Sequence, residues 1–259
     1  MIIIRKIIAV VTSIALAVTF VGAGFAVCTT PPVTQGLANM FSDDATSPFN
    51  RNQLVQVADA TRDYSFGNHS RGNLYRAIYQ VDVQLKQQIE SSGATVPADF
   101  PKLDLVTDPS DAMQVEAAFA TASEVYCFSR DTVSHLDDCY NIATTARTLL
   151  IAMALVALVG LVAAGALGGK RKAGNVLLAA GSLVIVAFLA FGAWAVIDFN
   201  GFFTTFHGVF FSQGNWEFPY DSLLICALPT AFWMGMGVVW LAVAVLVSIL
   251  SIVVSKRLR

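Results

Sequence analysis

The chain has 259 residues, of which 56% are hydrophobic and only 13% charged, with a formal net charge of −2 and a mean hydropathy of +0.63. A soluble domain carries about a quarter charged residues, so this composition excludes an ordinary soluble globular protein and points to the membrane. Neither a basic stripe for nucleic acid nor a glycine-rich nucleotide loop occurs in it.

Four runs are long enough to cross about 30 Å of hydrocarbon as helices: Ile7 to Val27, Thr148 to Gly169, Asn175 to Ile197 and Leu223 to Val254. Arg5 and Lys6 precede the first, and Gly24-Phe25-Ala26 loosely resembles a signal cleavage site. Its apolar stretch is long for a signal peptide and reads as a retained helix. Between the first two runs lie about 120 residues that predict a mostly helical domain. "TTPPVTQGLANMFSDDATSPFN" is turn-rich and reads as irregular chain. "RNQLVQVADATRDY" has a helical period, with Asn50 or Asn52 available as a cap. "NLYRAIYQVDVQLKQQIESS" places Leu74, Ile78, Val81 and Leu85 on one amphipathic face. A proline-containing loop follows. "DAMQVEAAFATASEVYCF" predicts a third helix, and "SRDTVSHLDDCYNIATTART" predicts a helix entering the second membrane run. Pro229 marks a kink or a fresh start in the last run.

Charge sets the orientation. Arg5, Lys6, Lys170, Arg171, Lys172, Lys256, Arg257 and Arg259 fill the ends and the gap between the second and third runs, with no acidic residue among them. By the positive-inside rule these pieces are cytoplasmic. The expected architecture is all-α: four transmembrane helices with both termini cytoplasmic and an extracytoplasmic domain between helices 1 and 2. The expected divisions are 1–27 (helix 1), 28–147 (the external domain), 148–222 (helices 2 and 3 with an outer Phe/His segment) and 223–259 (helix 4 and tail). Cys28, Cys127, Cys139 and Cys226 all fall on the outer side, where disulfides are permitted. Their spacing fits no CxxC metal pattern. Pairs Cys127–Cys139 and Cys28–Cys226 and four buried free thiols are equally compatible with it.

Chemistry concentrates in two of the three histidines. His69, in "FGNHSRGN", reads as a solvated loop residue, and "NHSRG" falls short of a serine-hydrolase elbow. On a helix, His135 shares a face with Asp131, Asp138 and Cys139. A carboxylate near an imidazole fixes its tautomer, although the same spacing fits a surface ion pair. His207 sits in "DFNGFFTTFHGVFFSQGNW", where Phe199, Phe202, Phe203, Phe206 and Phe210 make one broad apolar face beside it. That stretch reads either as an interfacial aromatic belt or as the wall of a lipid site. Histidines with carboxylates at the outer membrane surface suit acid–base work on a lipid ester, and equally a zinc site.

At these histidines the sequence resembles the bacterial lipoprotein intramolecular transacylase (Lit) family of integral membrane proteins. The first element is "SHLDDC", with His135 and Asp138 matching and Cys139 where an aliphatic residue is usual. The second is "DFNGFFTTFHGVFFSQGNWEFPYDSLLICALP", with Asp198, Phe206, His207, Phe211, Asn215, Trp216, Asp221 and Pro229 matching. The resemblance implies a bacterial cell-membrane enzyme acting on diacylglyceryl-cysteine lipoproteins among the membrane lipids. It would move the sn-2 acyl chain from glycerol to the N-terminal cysteine amine, giving a lyso-form lipoprotein, with no cofactor or metal. His135 and His207 would be catalytic, one as base and the other as donor in either order. Asp138, Asp198, Trp216 and Asp221 would support them, and Phe202, Phe203, Phe206, Phe210 and Phe211 would line the acyl chains. A non-enzymatic membrane scaffold or sensor binding an envelope partner is the alternative that the topology alone equally allows, and a zinc hydrolase is a third.

Overall fold

In a computed structural model that describes residues 2–211 and 214–259, the chain is built from α-helices. They are α1 (Ile2–Cys28), α2 (Pro31–Phe41), α3 (Arg51–Phe66), α4 (Arg71–Ser91), α5 (Ala112–Phe119), α6 (Arg130–Ile197), α7 (Phe199–Phe210), α8 (Leu223–Ala227) and α9 (Thr230–Leu258), with one 3₁₀ turn at Leu103–Leu105. No strand occurs among the described residues. The helices fall into two compact units.

The apolar unit comprises Met1–Cys28, Thr144–Val209 and Gly237–Arg259. Helices α1 (from Ile3), α6 and α9 are each long and apolar enough to cross a membrane. Helix α6 has 68 residues, which at 1.5 Å per residue would run about 100 Å, far beyond one bilayer. It is broken at Gly169, where φ is 70° and ψ 178°. Glycine reaches that conformation without a Cβ penalty, and Lys170-Arg171-Lys172 follows it directly. Inside the unit the helices meet at small residues. A Cβ at Gly160 would lie 2.1 Å from Thr12 Oγ1, and one at Gly24 2.2 Å from the Trp240 ring. Trp240 Nε1 donates to the Val21 carbonyl at 2.8 Å, and Ser251 Oγ to that of Leu177 at 3.0 Å. Close backbone approach with a few polar ties is how helices associate where apolar burial gives little drive. The outward side chains, Leu155, Val159, Val186 and Leu189 among them, are exposed and apolar, as a lipid-facing surface requires.

The second unit comprises Thr29–Ala143 and Phe210–Met236. Leu54, Val57, Leu74, Ile78, Val81, Leu85, Val115, Phe119, Leu136, Leu223 and Phe232 form one buried core. The face expected of α4 is this core. Asn50, not Asn52, caps α3: its side chain accepts from the Gln53 amide, and Gln53 returns the bond to the Asn50 amide. Helix α8 is capped by Ser222 and the chain restarts at Thr230 after Pro229. Two expectations need correction. The turn-rich opening contains α2, because Pro31 and Pro32 occupy its first turn, where a missing N–H costs nothing, and Thr34 and Ala38 turn inward. The third helix stops at Phe119, and residues 120–129 are turns and irregular chain. No disulfide joins the four cysteines, which is the thiol alternative the spacing left open.

Candidate active site

His135 lies in the first turns of α6, whose start is fixed by the Ser129 hydroxyl accepting from the Thr132 amide at 3.2 Å. Its side chain is buried at 9% exposure. The Phe211 ring lies 4.6 Å away between centroids and the Phe218 ring 5.7 Å. One helical turn on, Cys139 Sγ is 3.6 Å from His135 Nε2. Asp138, on the same turn, accepts from Asn215 Nδ2 at 3.0 Å. Phe211, Phe218 and Asn215 therefore contact the His135 turn of α6 by two rings and one amide. Gly214 has φ 76°, a left-handed conformation that glycine takes without a Cβ penalty, and its amide is bonded to the Phe211 carbonyl.

His207 belongs to α7. Asp198 is the cap of that helix, its carboxylate accepting from the Gly201 amide at 2.8 Å and its carbonyl from Phe202 at 3.0 Å. A Cβ at Gly201 would fall 2.0 Å from that carboxylate, so Asp198 and Gly201 work as a pair. Asp198 thus fixes the entry of α7. His207 Nδ1 sits 2.8 Å from the Phe203 carbonyl, so the nitrogen carries the proton and donates. The ring packs on Phe203 at 3.9 Å and edge-on to Phe206 at 5.5 Å. Burial pushes the imidazole pKa below the ordinary histidine value, and the Phe203 carbonyl opposes this less strongly.

Phe211 is buried against His135, while Phe202, Phe203, Phe206 and Phe210 stay on α7. Phe202 packs edge-on to Trp194 at 5.4 Å, and Phe206 and Phe210 are exposed. Trp216 and Asp221 are half-buried, Asp221 immediately before the Ser222 cap of α8.

His69 is not the solvated loop residue its surroundings suggest. Its ring is stacked between Tyr64 at 4.3 Å and Tyr140 at 3.8 Å, and its backbone is held at φ 55°. Nδ1 meets the Tyr64 carbonyl at 3.0 Å, and Nε2 is 3.5 Å from Asp137 Oδ1. The same carboxylate accepts from the Tyr64 hydroxyl at 2.5 Å and from Arg71 at 3.1 Å. Burial and that carboxylate raise the Tyr64 pKa. No local pattern signals this cluster, because Asp137 and Tyr140 are far along the chain from Tyr64, His69 and Arg71. Among the described residues no three His, Cys, Asp or Glu side chains come together to hold a metal ion.

Long apolar helices and a helical unit that buries a histidine beside a carboxylate–amide pair describe an all-α membrane protein. The chain belongs to the lipoprotein intramolecular transacylase (Lit) family, whose model matches residues 78–233. That stretch contains His135, Asp138, His207 and Asn215 and leaves out Tyr64, His69 and Arg71. In fold the chain is similar to the membrane-integral lipoprotein intramolecular transacylase Lit of Bacillus cereus. The match has a TM-score of 0.67 at 18% identity, covering 100% of this chain and 97% of that one. Two structures of that protein with one histidine replaced by arginine or by alanine match at a TM-score of 0.49 and 17% identity. They cover 98% of this chain and 92% or 93% of theirs. No curated protein sequence matches.

Proposed function

We propose that the chain is a four-span bacterial membrane acyltransferase, with both termini cytoplasmic, that moves the sn-2 acyl chain of a diacylglyceryl-cysteine lipoprotein to the α-amine of the same cysteine. The product is an N-acyl, S-monoacylglyceryl lipoprotein. The observation that carries this reading is the family match over residues 78–233, which takes in both histidine elements. The break at Gly169 before three basic residues supports two crossings within α6.

The residues suit the chemistry. Ester and amine belong to one molecule, so the protein chiefly orients them. With Nδ1 donating to the Phe203 carbonyl, neutral His207 presents Nε2 as a proton acceptor, and its lowered pKa keeps it neutral at pH 7. His207 is therefore assigned as the base. As the amine attacks the ester carbonyl, the N–C bond forms and the amine proton passes to His207. The C–O bond to glycerol then breaks and the departing oxygen takes that proton. His135 donates to the developing oxyanion. The exposed phenylalanines of α7 give the acyl chains apolar contact and keep water from competing as the nucleophile.

The test uses a strain without other lipoprotein N-acylation, expressing wild type, His135→Ala or His207→Ala. Mass spectra of lipoprotein N-terminal peptides should show the lyso form with wild type and the diacyl form with either variant. A scaffold or sensor would leave the diacyl form unchanged in all three.

A further inference from the structure

We infer that Asn215 binds the reacting amine of the substrate through its side-chain carbonyl. The inference rests on the transacylase reading and adds to it a residue that recognises the nucleophile. The Asp138 carboxylate can only accept, so the Asn215 side chain must turn its NH₂ toward it, and the 3.0 Å contact fixes that orientation. The carbonyl Oδ1 is thereby turned away from Asp138. It is buried and has no hydrogen-bond partner among the described residues. A buried acceptor left in this way costs free energy unless something donates to it.

The framework does not let the group relax. Phe211 on one side is 5% exposed and packed on His135, Gly214 sets the turn, and Phe218 packs on His135 from the other side. The acceptor is thus held between two rings that pack on His135. Among the groups that react, the ester offers only acceptors, and the glycerol oxygen becomes a donor only after it departs. The α-amine is the donor present from the start. A neutral carbonyl also suits a nucleophile that must lose a proton. It accepts an N–H from amine or ammonium alike, whereas a carboxylate there would favour the ammonium form.

Binding separates this role from a structural one. Two probes carry an sn-2 ether in place of the ester, so neither turns over: a dialkylglyceryl-cysteine peptide with a free amine, and its desamino counterpart. Full-length protein in detergent should bind the amine probe about tenfold or more tighter than the desamino probe. Asn215→Ala should bind both with the affinity that wild type has for the desamino probe. Equal binding of the two probes by wild type overturns the inference without any variant, and so does a preference that persists in Asn215→Ala. Failure of wild type to bind either probe overturns the transacylase reading itself.

Discussion

Asp82 lies on the apolar face of α4 with Ile78, Val81 and Leu85, and its side chain is 0% exposed. Neither carboxyl oxygen has a hydrogen-bond partner among the described residues, and burial pushes its pKa well above the usual carboxylate range. An unfolded aspartate titrates near 3.9. Between that value and the raised folded value, the folded chain holds a proton that the unfolded chain has released. The contribution of this group is therefore fully present below about pH 3.9 and is lost as pH rises through the folded pKa. For one proton the slope is about 1.4 kcal/mol per pH unit. Asp82→Asn keeps the shape and removes the titration, so its stability relative to wild type should grow by that amount per unit through the window. Cys127, 3% exposed in the same core, reports the opening. Pulsed alkylation of Cys127 in full-length protein across a denaturant series, repeated from pH 4 to 8, gives the midpoint for each form. Parallel midpoints of variant and wild type across that range would refute the reasoning.

Asp137→Asn should lower stability by about 1–2 kcal/mol, read by thermal unfolding, because one carboxylate serves Tyr64, Arg71 and His69 and its ion pair is part-exposed; an unchanged unfolding temperature contradicts it. With only three histidines in the chain, NMR of labelled protein can follow each ring, and His207 should titrate below about 6.5. Its folded pKa is depressed, so its contribution to stability is present above about 6.5 and lost as pH falls through the folded value; a midpoint at or above 6.5 overturns the assignment. Phe211→Ala empties the contact on His135 and should cost about 3–5 kcal/mol in the core of its unit, seen by the same unfolding measurement.

The parts of the fold that could be read from the sequence are those fixed by near neighbours. The spacing of Leu74, Ile78, Val81 and Leu85 specifies the buried face of α4, and Asp82 stands on that face in the sequence as clearly as in the fold. Asn50 with Gln53 three residues on is a local capping signal, and Pro229 is a local stop. Helix α2 was hidden because prolines read as breakers and their use in a first turn depends on what the helix packs against. The His135 and His207 elements were legible as motifs. The Asp138–Asn215 bond and the Tyr64–His69–Tyr140 stack were not, since each joins residues more than 65 positions apart. Phe211 is another such case: it packs on His135, 76 positions earlier in the chain.

The central claim is that one lipoprotein molecule gives up its own acyl chain to its own amine. A purified diacyl lipoprotein with an isotopically labelled sn-2 chain, mixed with unlabelled lipoprotein of a different peptide sequence, tests it in one mass spectrum. The label should move to the N-terminus of the peptide that carried it, with His135→Ala and His207→Ala inactive. Label appearing on the other peptide, or no transfer by wild type, would contradict it.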